Sequence, residues 1–173
     1  RDVTGVQTCA LPIWPGQRVL EIGCGSGIVS LHMALAGAEV VACDIDPAAI
    51  MCTKSNATKN GMVLEVLQSD LFSGVSGDFD LVVFNLPYLP VSEDGPMAGA
   101  WSGGETGLGP LGRLLDELPS RLRPGGHLAV VLSSLSDMDA FRRMADGFRV
   151  ETLGSKKLFF EELLVIGLWP KTS

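Results

Sequence analysis

No apolar stretch of this 173-residue chain reaches the roughly 18 to 20 residues that a membrane-spanning helix needs, so no membrane partner is expected. Basic residues are also scarce: 13 Lys and Arg stand against 20 Asp and Glu, a net charge of −7. A nucleic-acid-binding face is normally basic, so direct nucleic-acid binding is not expected. There are two histidines, His32 in a helix-like run and His127 in a strand-like run, and both read as structural. The cysteines at 9, 24, 43 and 52 form no CxxC and no metal-like spacing. They fit a reduced, cytoplasmic protein without a metal site. What remains is ordinary for a globular domain, with 46% hydrophobic and 19% charged residues, enough for one proper core.

Residues 1–13, RDVTGVQTCALPI, share no period with the rest of the chain. They resemble the in-frame translation of a sequencing-library adapter. They are expected to be a non-native scar, loosely packed or disordered, with the natural N-terminus lost upstream of Trp14. Residues 14–173 then form one domain in which strand and helix alternate. Strands are expected over Arg18–Ile22, Glu39–Cys43, Val63–Leu67, Asp80–Phe84, His127–Leu132, Phe148–Leu153 and Leu158–Trp169. Helices are expected over Gly27–Ala36, Pro47–Asn60, about Pro110–Leu122 and Asp137–Ala145, the third of them stopped by Pro124-Gly125-Gly126. A long glycine-rich loop runs from Leu89 to about Gly109. The last two strands leave no room for a crossover helix and must pair antiparallel. The fold class is therefore α/β, a doubly wound, seven-stranded, mostly parallel sheet with an antiparallel last strand.

Ligands of such sheets sit beyond the carboxyl ends of the strands. The first strand ends in Glu21-Ile22-Gly23-Cys24-Gly25-Ser26-Gly27, a glycine turn that lets a ligand approach the backbone at a helix N-terminus. Ile28 stands where a dinucleotide fingerprint has its third glycine, and an acid just before the turn is unhelpful beside a pyrophosphate. Both features favour a nucleoside with a neutral or cationic tail over NAD. The second strand ends in Asp44-Ile45, whose carboxylate can accept from a ribose diol. The third ends in Ser69-Asp70-Leu71, where Asp70 can accept from an exocyclic amine of adenine while Leu71 covers the ring. The fourth ends in Asn85-Leu86-Pro87-Tyr88, an amide, a proline and a phenol after a buried run. Any one of these ends alone is an ordinary cap or turn. Four polar ends on one sheet edge point to a shared pocket.

These stretches together resemble the class I S-adenosylmethionine-dependent methyltransferases. "VLEIGCGSG", "ACDID", "QSDLF" and "NLPY" are similar to their successive motifs over residues 15–169. "FNLPYLP", "AWSGGETGL", "LPSRLRPGGHLAVVLSSL" and "KKLFFEELLVI" resemble, more narrowly, the HemK-type protein-(glutamine-N5) methyltransferases of translation release factors. The short N-terminal side and Trp101 look most like the archaeal and eukaryotic branch. The resemblance implies S-adenosylmethionine as cofactor, held by Glu21, Gly23, Cys24, Gly25, Ser26, Gly27, Asp44, Ile45, Asp70, Leu71 and Asn85. Glu21 is expected to act indirectly, through backbone amides. The resemblance further implies substrate contacts by Asn85, Leu86, Pro87, Tyr88 and Trp101, with Asn85 and Tyr88 catalytic. It also implies a release factor as protein substrate and, for this branch, a small zinc-binding activator subunit at an exposed edge of the sheet. The departure from the family pattern is Leu86 where proline is usual.

The tetrad suits a planar amide. Asn85 can accept one N–H and the Leu86 carbonyl the other, Pro87 stiffens the turn, and Tyr88 can pack flat on the amide. It also resembles the tetrad of adenine-N6 methyltransferases acting on RNA or DNA, which is the alternative reading. A non-catalytic partner subunit of the same fold is a further alternative, although the glycines, Asp44 and Asn85 are all kept. Lys156, Lys157, Glu161 and Glu162 read as solvated.

Overall fold

The computed structural model describes residues 11–86 and 108–171. Strand β1 (Arg18–Ile22) leads through the glycine turn into α1 (Ile28–Leu35), β2 (Glu39–Asp44), α2 (Pro47–Lys59), β3 (Glu65–Gln68) and β4 (Phe79–Asn85). Helix α3 (Leu111–Glu117) and a 3-10 turn (Leu118–Arg121) precede β5 (Leu122–Ser133), α4 (Met138–Met144), β6 (Phe148–Lys157) and β7 (Glu162–Pro170). The seven strands form one sheet in the order β3-β2-β1-β4-β5-β7-β6. β1 to β5 run parallel, while β7 is antiparallel to both β5 and β6. The fold class expected from the sequence is thus the observed one. Among the described residues no helix is long and apolar enough to cross a membrane.

The central strands are apolar at nearly every position because both of their faces are covered. Alternate residues feed two cores. Leu20, Ile22, Val82, Phe84, Val130 and Leu132 pack on one face with Leu111, Leu114 and Phe141 of α3 and α4. Val19, Leu81, Val83, Ala129 and Val131 pack on the other with Val29 and Met33 of α1. Helix α2 joins that second face, where Ile50 meets Ala42 and Val66. Helices α2 and α4 are capped by acids: Asp46 accepts from Ala48 N, and Asp137 from Asp139 N and Ala140 N.

Four expectations change. The Pro124-Gly125-Gly126 stretch does not follow a long helix but lies inside β5, because the 3-10 turn around Pro119 ends the helical run early. The β4–β5 register shifts between Phe79 and Leu81, an irregularity at which a proline in a strand is tolerated. A Cβ at Gly126 would lie 2.8 Å from the Phe79 carbonyl oxygen, so close strand approach requires glycine there. β3 starts at Glu65, leaving Val63 outside the strand and exposed. β7 starts at Glu162, because residues 158–161 form the hairpin turn, in which Leu158 N donates to Glu161 O at 2.8 Å. Glu161, expected to be solvated, is buried and accepts from Ser133 Oγ at 2.6 Å. Lys156 is half-buried, as is Glu162.

The expected loose packing of residues 1–13 does not hold at residues 11 and 13. Leu11 is buried in the α1-side core and Ile13 packs against that core, as apolar side chains beside an apolar face will. Of the two histidines, His32 on α1 has Nδ1 2.7 Å from Ile28 O. His127 stacks on Trp169 with ring centroids 4.6 Å apart, and burial lowers its pKa.

Candidate functional site

The carboxyl ends of β1, β2, β3 and β4 form the candidate site, and the turn after β1 is its centre. Gly27, the N-cap of α1, has φ 78° in the left-handed region. A Cβ there would also lie 2.6 Å from Thr53 Cγ2, so helix α2 presses directly on the turn. Thr53 is buried, and its Oγ1 donates to Gly25 O at 3.1 Å and lies 3.3 Å from Cys24 Sγ. Asn56, one turn along α2, donates through Nδ2 to Ser26 O at 2.9 Å. Gly25 also has positive φ, with open space where a Cβ would stand, so a ligand can approach the backbone there.

Asp44, at the end of β2, closes the turn from the other side. Its Oδ2 accepts from Gly25 N and its Oδ1 from Asp46 N, both at 3.0 Å. The carboxylate is half-exposed, and each oxygen keeps a second acceptor direction for a ribose diol. Ile45, the next residue, is 64% exposed and leaves an apolar side chain bare at this edge.

Glu21 sits under the turn. It is buried and accepts from both the backbone N–H and the hydroxyl of Ser30 in the first turn of α1. Gly27 has no side chain to cap this helix, so Glu21 supplies the cap from the neighbouring strand. Burial pushes its carboxyl up to about 8, against the lowering effect of the Ser30 bonds and with a further raising contribution from Asp44. Cys24 is likewise internal: its side chain is buried and its N–H donates to Cys43 O at 3.0 Å. Burial pushes the thiols of Cys24 and Cys43 up to about 12, which keeps both protonated.

At the end of β3, Asp70 and Leu71 are both engaged by the protein's own contacts. Asp70 Oδ2 is 2.7 Å from Arg113 Nη2 of α3, so one of its oxygens already has a cationic partner. Leu71 is buried in the main core with φ 50°, an uncommon left-handed backbone for a branched residue. It packs inward, and the bare apolar side chain at this edge is Ile45. Ser69 Oγ donates to Leu71 O and accepts from Gly74 N, each at 2.8 Å, which holds the bend.

At the end of β4 the pattern reverses. Asn85 pairs in register with Val131 of β5, and its Oδ1 is buried without a hydrogen-bond partner among the described residues. A buried acceptor left unpaired is costly, on the order of 1 to 3 kcal/mol, and points to a donor that arrives with a ligand. Leu86 is buried in the core, which anchors its backbone beside Asn85. Phe84 reaches back under the glycine turn, 3.4 Å from where a Gly23 Cβ would stand. Pro87, Tyr88 and Trp101 lie outside the described residues. Thr53, Asn56 and Arg113 were missed in the sequence. The spacing of Thr53 and Asn56 on one face of α2 is the only signal that could have found the first two, and nothing local marks Arg113.

Residues 7–159 match the family described as methyltransferase small domain. Among curated proteins, the chain is 40% identical over 158 residues to one from Methanocaldococcus jannaschii provisionally named a protein N5-glutamine methyltransferase, covering 87% of this chain and 80% of the relative. It is 37% identical over 134 residues to the ribosomal RNA small subunit methyltransferase C of Chromohalobacter salexigens, covering 78% and 37%. It is 34% identical over 125 residues to the release factor glutamine methyltransferase of Deinococcus radiodurans, covering 66% and 45%. The chain thus spans less than half the length of the latter two. Among solved structures, the E. cuniculi Mtq2–Trm112 complex, described as responsible for methylation of the eRF1 translation termination factor, superposes with a TM-score of 0.71 at 20% identity, covering 91% and 87%. The T. thermophilus 16S rRNA methyltransferase RsmC with AdoMet and guanosine superposes with a TM-score of 0.63 at 23% identity, covering 90% and 38%. At these identities the structures speak for the fold alone. From the matched residues and the sheet order together, the chain belongs to the methyltransferase small domain family of S-adenosylmethionine-dependent methyltransferases.

Proposed function

We propose that the protein methylates the side-chain amide nitrogen of a glutamine in a translation release factor, with S-adenosylmethionine as methyl donor. The observation that carries this reading is Asn85 Oδ1 at the end of β4, buried without a hydrogen-bond partner among the described residues and followed directly by Leu86-Pro87-Tyr88. The relatives named for glutamine methylation support it.

The described residues fit the cofactor. Asp44 keeps acceptor directions for a ribose diol, Gly25 leaves its backbone open, and Ile45 offers a bare apolar surface to a flat ring. When bound, S-adenosylmethionine supplies an electrophilic sulfonium methyl. An amide nitrogen is a weak nucleophile, so the chain's contribution is orientation. Asn85 Oδ1 accepts one amide N–H and the Leu86 carbonyl accepts the other, which aims the nitrogen and stabilises positive charge developing on it. In such a transfer the methyl–sulfur bond would break as the carbon–nitrogen bond forms, the thioether would leave with the electron pair, and the nitrogen would release one proton to water afterwards, so the attack step needs no general base.

Two further points belong to this reading. β3 is the edge of the sheet, and Val63 beside it is 98% exposed. A bare strand edge invites pairing, and we place there the small zinc-binding activator subunit that the sequence resemblance implies. Co-expression with such a subunit should raise the soluble yield, and a fully soluble and active lone chain would contradict its need. The alternative, methylation of an exocyclic amine in RNA, draws on the 37% identical ribosomal RNA methyltransferase, and the net charge of −7 opposes it. Incubation with methyl-labelled S-adenosylmethionine and either purified release factor or ribosomal RNA separates the two. Label in protein is expected, and label in RNA alone would overturn the reading.

A further inference from the structure

The turn between β6 and β7 carries two exposed phenylalanines. Phe159 is 101% exposed and Phe160 92%, with ring centroids 6.5 Å apart. The turn that presents them is braced. Leu158 N donates to Glu161 O at 2.8 Å, and Ser133 Oγ donates to the buried Glu161 carboxylate at 2.6 Å. Ser134 N donates to Glu162 O at 2.8 Å, and Glu162 N donates to Ser134 Oγ at 2.9 Å. The base of the hairpin is therefore fixed to the end of β5, and the rings are held out in water on a rigid support.

Because β7 is antiparallel, this turn projects from the same sheet edge as Asn85. Asn85 is level with Val131 of β5, Val131 with Val165 of β7, and Val165 with Gly154 of β6. At about 4.8 Å per strand, β7 and β6 lie roughly 10 and 14 Å to one side of β4. The rings extend beyond the level of Asn85 by the few residues between Val165 and the turn. Leu135, 51% exposed, follows β5 at this same end of the sheet, where its N–H donates to Ser133 Oγ at 3.1 Å. Leu135, Phe159 and Phe160 are thus bare apolar side chains on the sheet edge that carries Asn85. Bare apolar side chains grouped on one edge mark an interaction site. Their place on the edge of Asn85 selects the occupant, which is the molecule whose reacting group enters there. The turn carries two cations, Lys156 and Lys157, with Glu161 and Glu162 on its other side, so it offers no extended basic run for a phosphate backbone.

We infer that the β6–β7 turn is a docking surface for the folded protein substrate, which seats an apolar patch on Phe159 and Phe160 while its glutamine reaches Asn85. This rests on the reading of the site as a glutamine methyltransferase. It adds a specificity element that a short peptide cannot reach. The test combines Phe159→Ser and Phe160→Ser in the full chain and compares it with the wild type on two substrates. For intact release factor, KM should rise about tenfold or more, as for loss of exposed aromatic anchors at an interface, with kcat at saturation and KM for S-adenosylmethionine unchanged. For a short peptide containing Gly-Gly-Gln, all constants should stay as in the wild type. An unchanged thermal midpoint shows that both chains are folded. Equal KM for release factor in both chains overturns the docking role while leaving the reaction intact. So does an equal loss on the peptide, or a change confined to sedimentation as a dimer. A wild-type chain that labels neither polypeptide overturns the reaction itself, and the occupant with it.

Discussion

The two halves of the sheet end in opposite ways. On the β1–β2 side the polar groups at the strand ends are engaged with one another. Asp44 holds Gly25, Thr53 and Asn56 hold the loop carbonyls, and Glu21 caps α1 through Ser30. On the β4–β5–β7–β6 side the edge is left incomplete, with Asn85 Oδ1 unpartnered among the described residues and Phe159 and Phe160 bare. The first half is preassembled, so binding there loses little to ordering. The second half holds a buried acceptor and exposed apolar surface that become satisfied only with a substrate present. The division matches the proposed chemistry, in which the donor is common to the whole family and the acceptor distinguishes its members.

The sharpest way to break this comparison is at Asn85. Asn85→Ala should lower kcat about 10²- to 10³-fold, the scale for loss of one positioned group in a site of this kind, while cofactor affinity changes little. Equal losses in both would place Asn85 in the cofactor half. Asp44→Ala should do the reverse, weakening cofactor binding in calorimetry by about 1.5 to 3 kcal/mol through lost hydrogen bonds to a charged acceptor. Gly27→Ala tests how tightly the preassembled half is built. Positive φ and the approach of Thr53 should together destabilise the fold by about 1 to 3 kcal/mol. Adding Thr53→Ser, which removes the offending methyl and keeps the hydroxyl, should recover part of that loss in chemical denaturation. If it recovers nothing, the backbone conformation alone carries the penalty.

Glu21 gives the mildest and most specific test. Its carboxyl titrates near 8 in the folded chain and in the ordinary carboxylate range, near 4.5, when unfolded. Between these values the folded protein holds a proton that the unfolded chain has released. Stability should therefore fall as pH rises from about 5 to 8. Glu21→Gln keeps an acceptor for Ser30 N and cannot ionise, so it should flatten that decline. Identical pH profiles for the two proteins would mean that Glu21 is charged in the fold.

Much of the fold was legible because its signals are local. Apolar runs located every strand, Pro47 and Asp137 located helix starts, and the lack of crossover length fixed the antiparallel final pair. The errors fell where tertiary contacts override local chemistry. Pro124-Gly125-Gly126 looks like a helix stop, yet pairing of the flanking Leu122 and His127 with β4 draws it into β5. Leu158 looks like strand, yet the buried Glu161 carboxylate turns the chain there. The site followed the same rule. Asp44 and Asn85 stand at strand ends and could be read directly. The bonds from Thr53 and Asn56 to the glycine turn, and from Arg113 to Asp70, join residues 28, 30 and 43 positions apart, and spacing alone does not reveal them.

The central claim is that the site built around Asn85 methylates a glutamine amide. The most direct measurement is tandem mass spectrometry of release factor after incubation with S-adenosylmethionine and either wild-type or Asn85→Ala protein. One methyl group is expected on the side-chain nitrogen of the glutamine in Gly-Gly-Gln with the wild type, and almost none with the variant over the same time. A methyl group on a different residue, or equal methylation by both proteins, would contradict it.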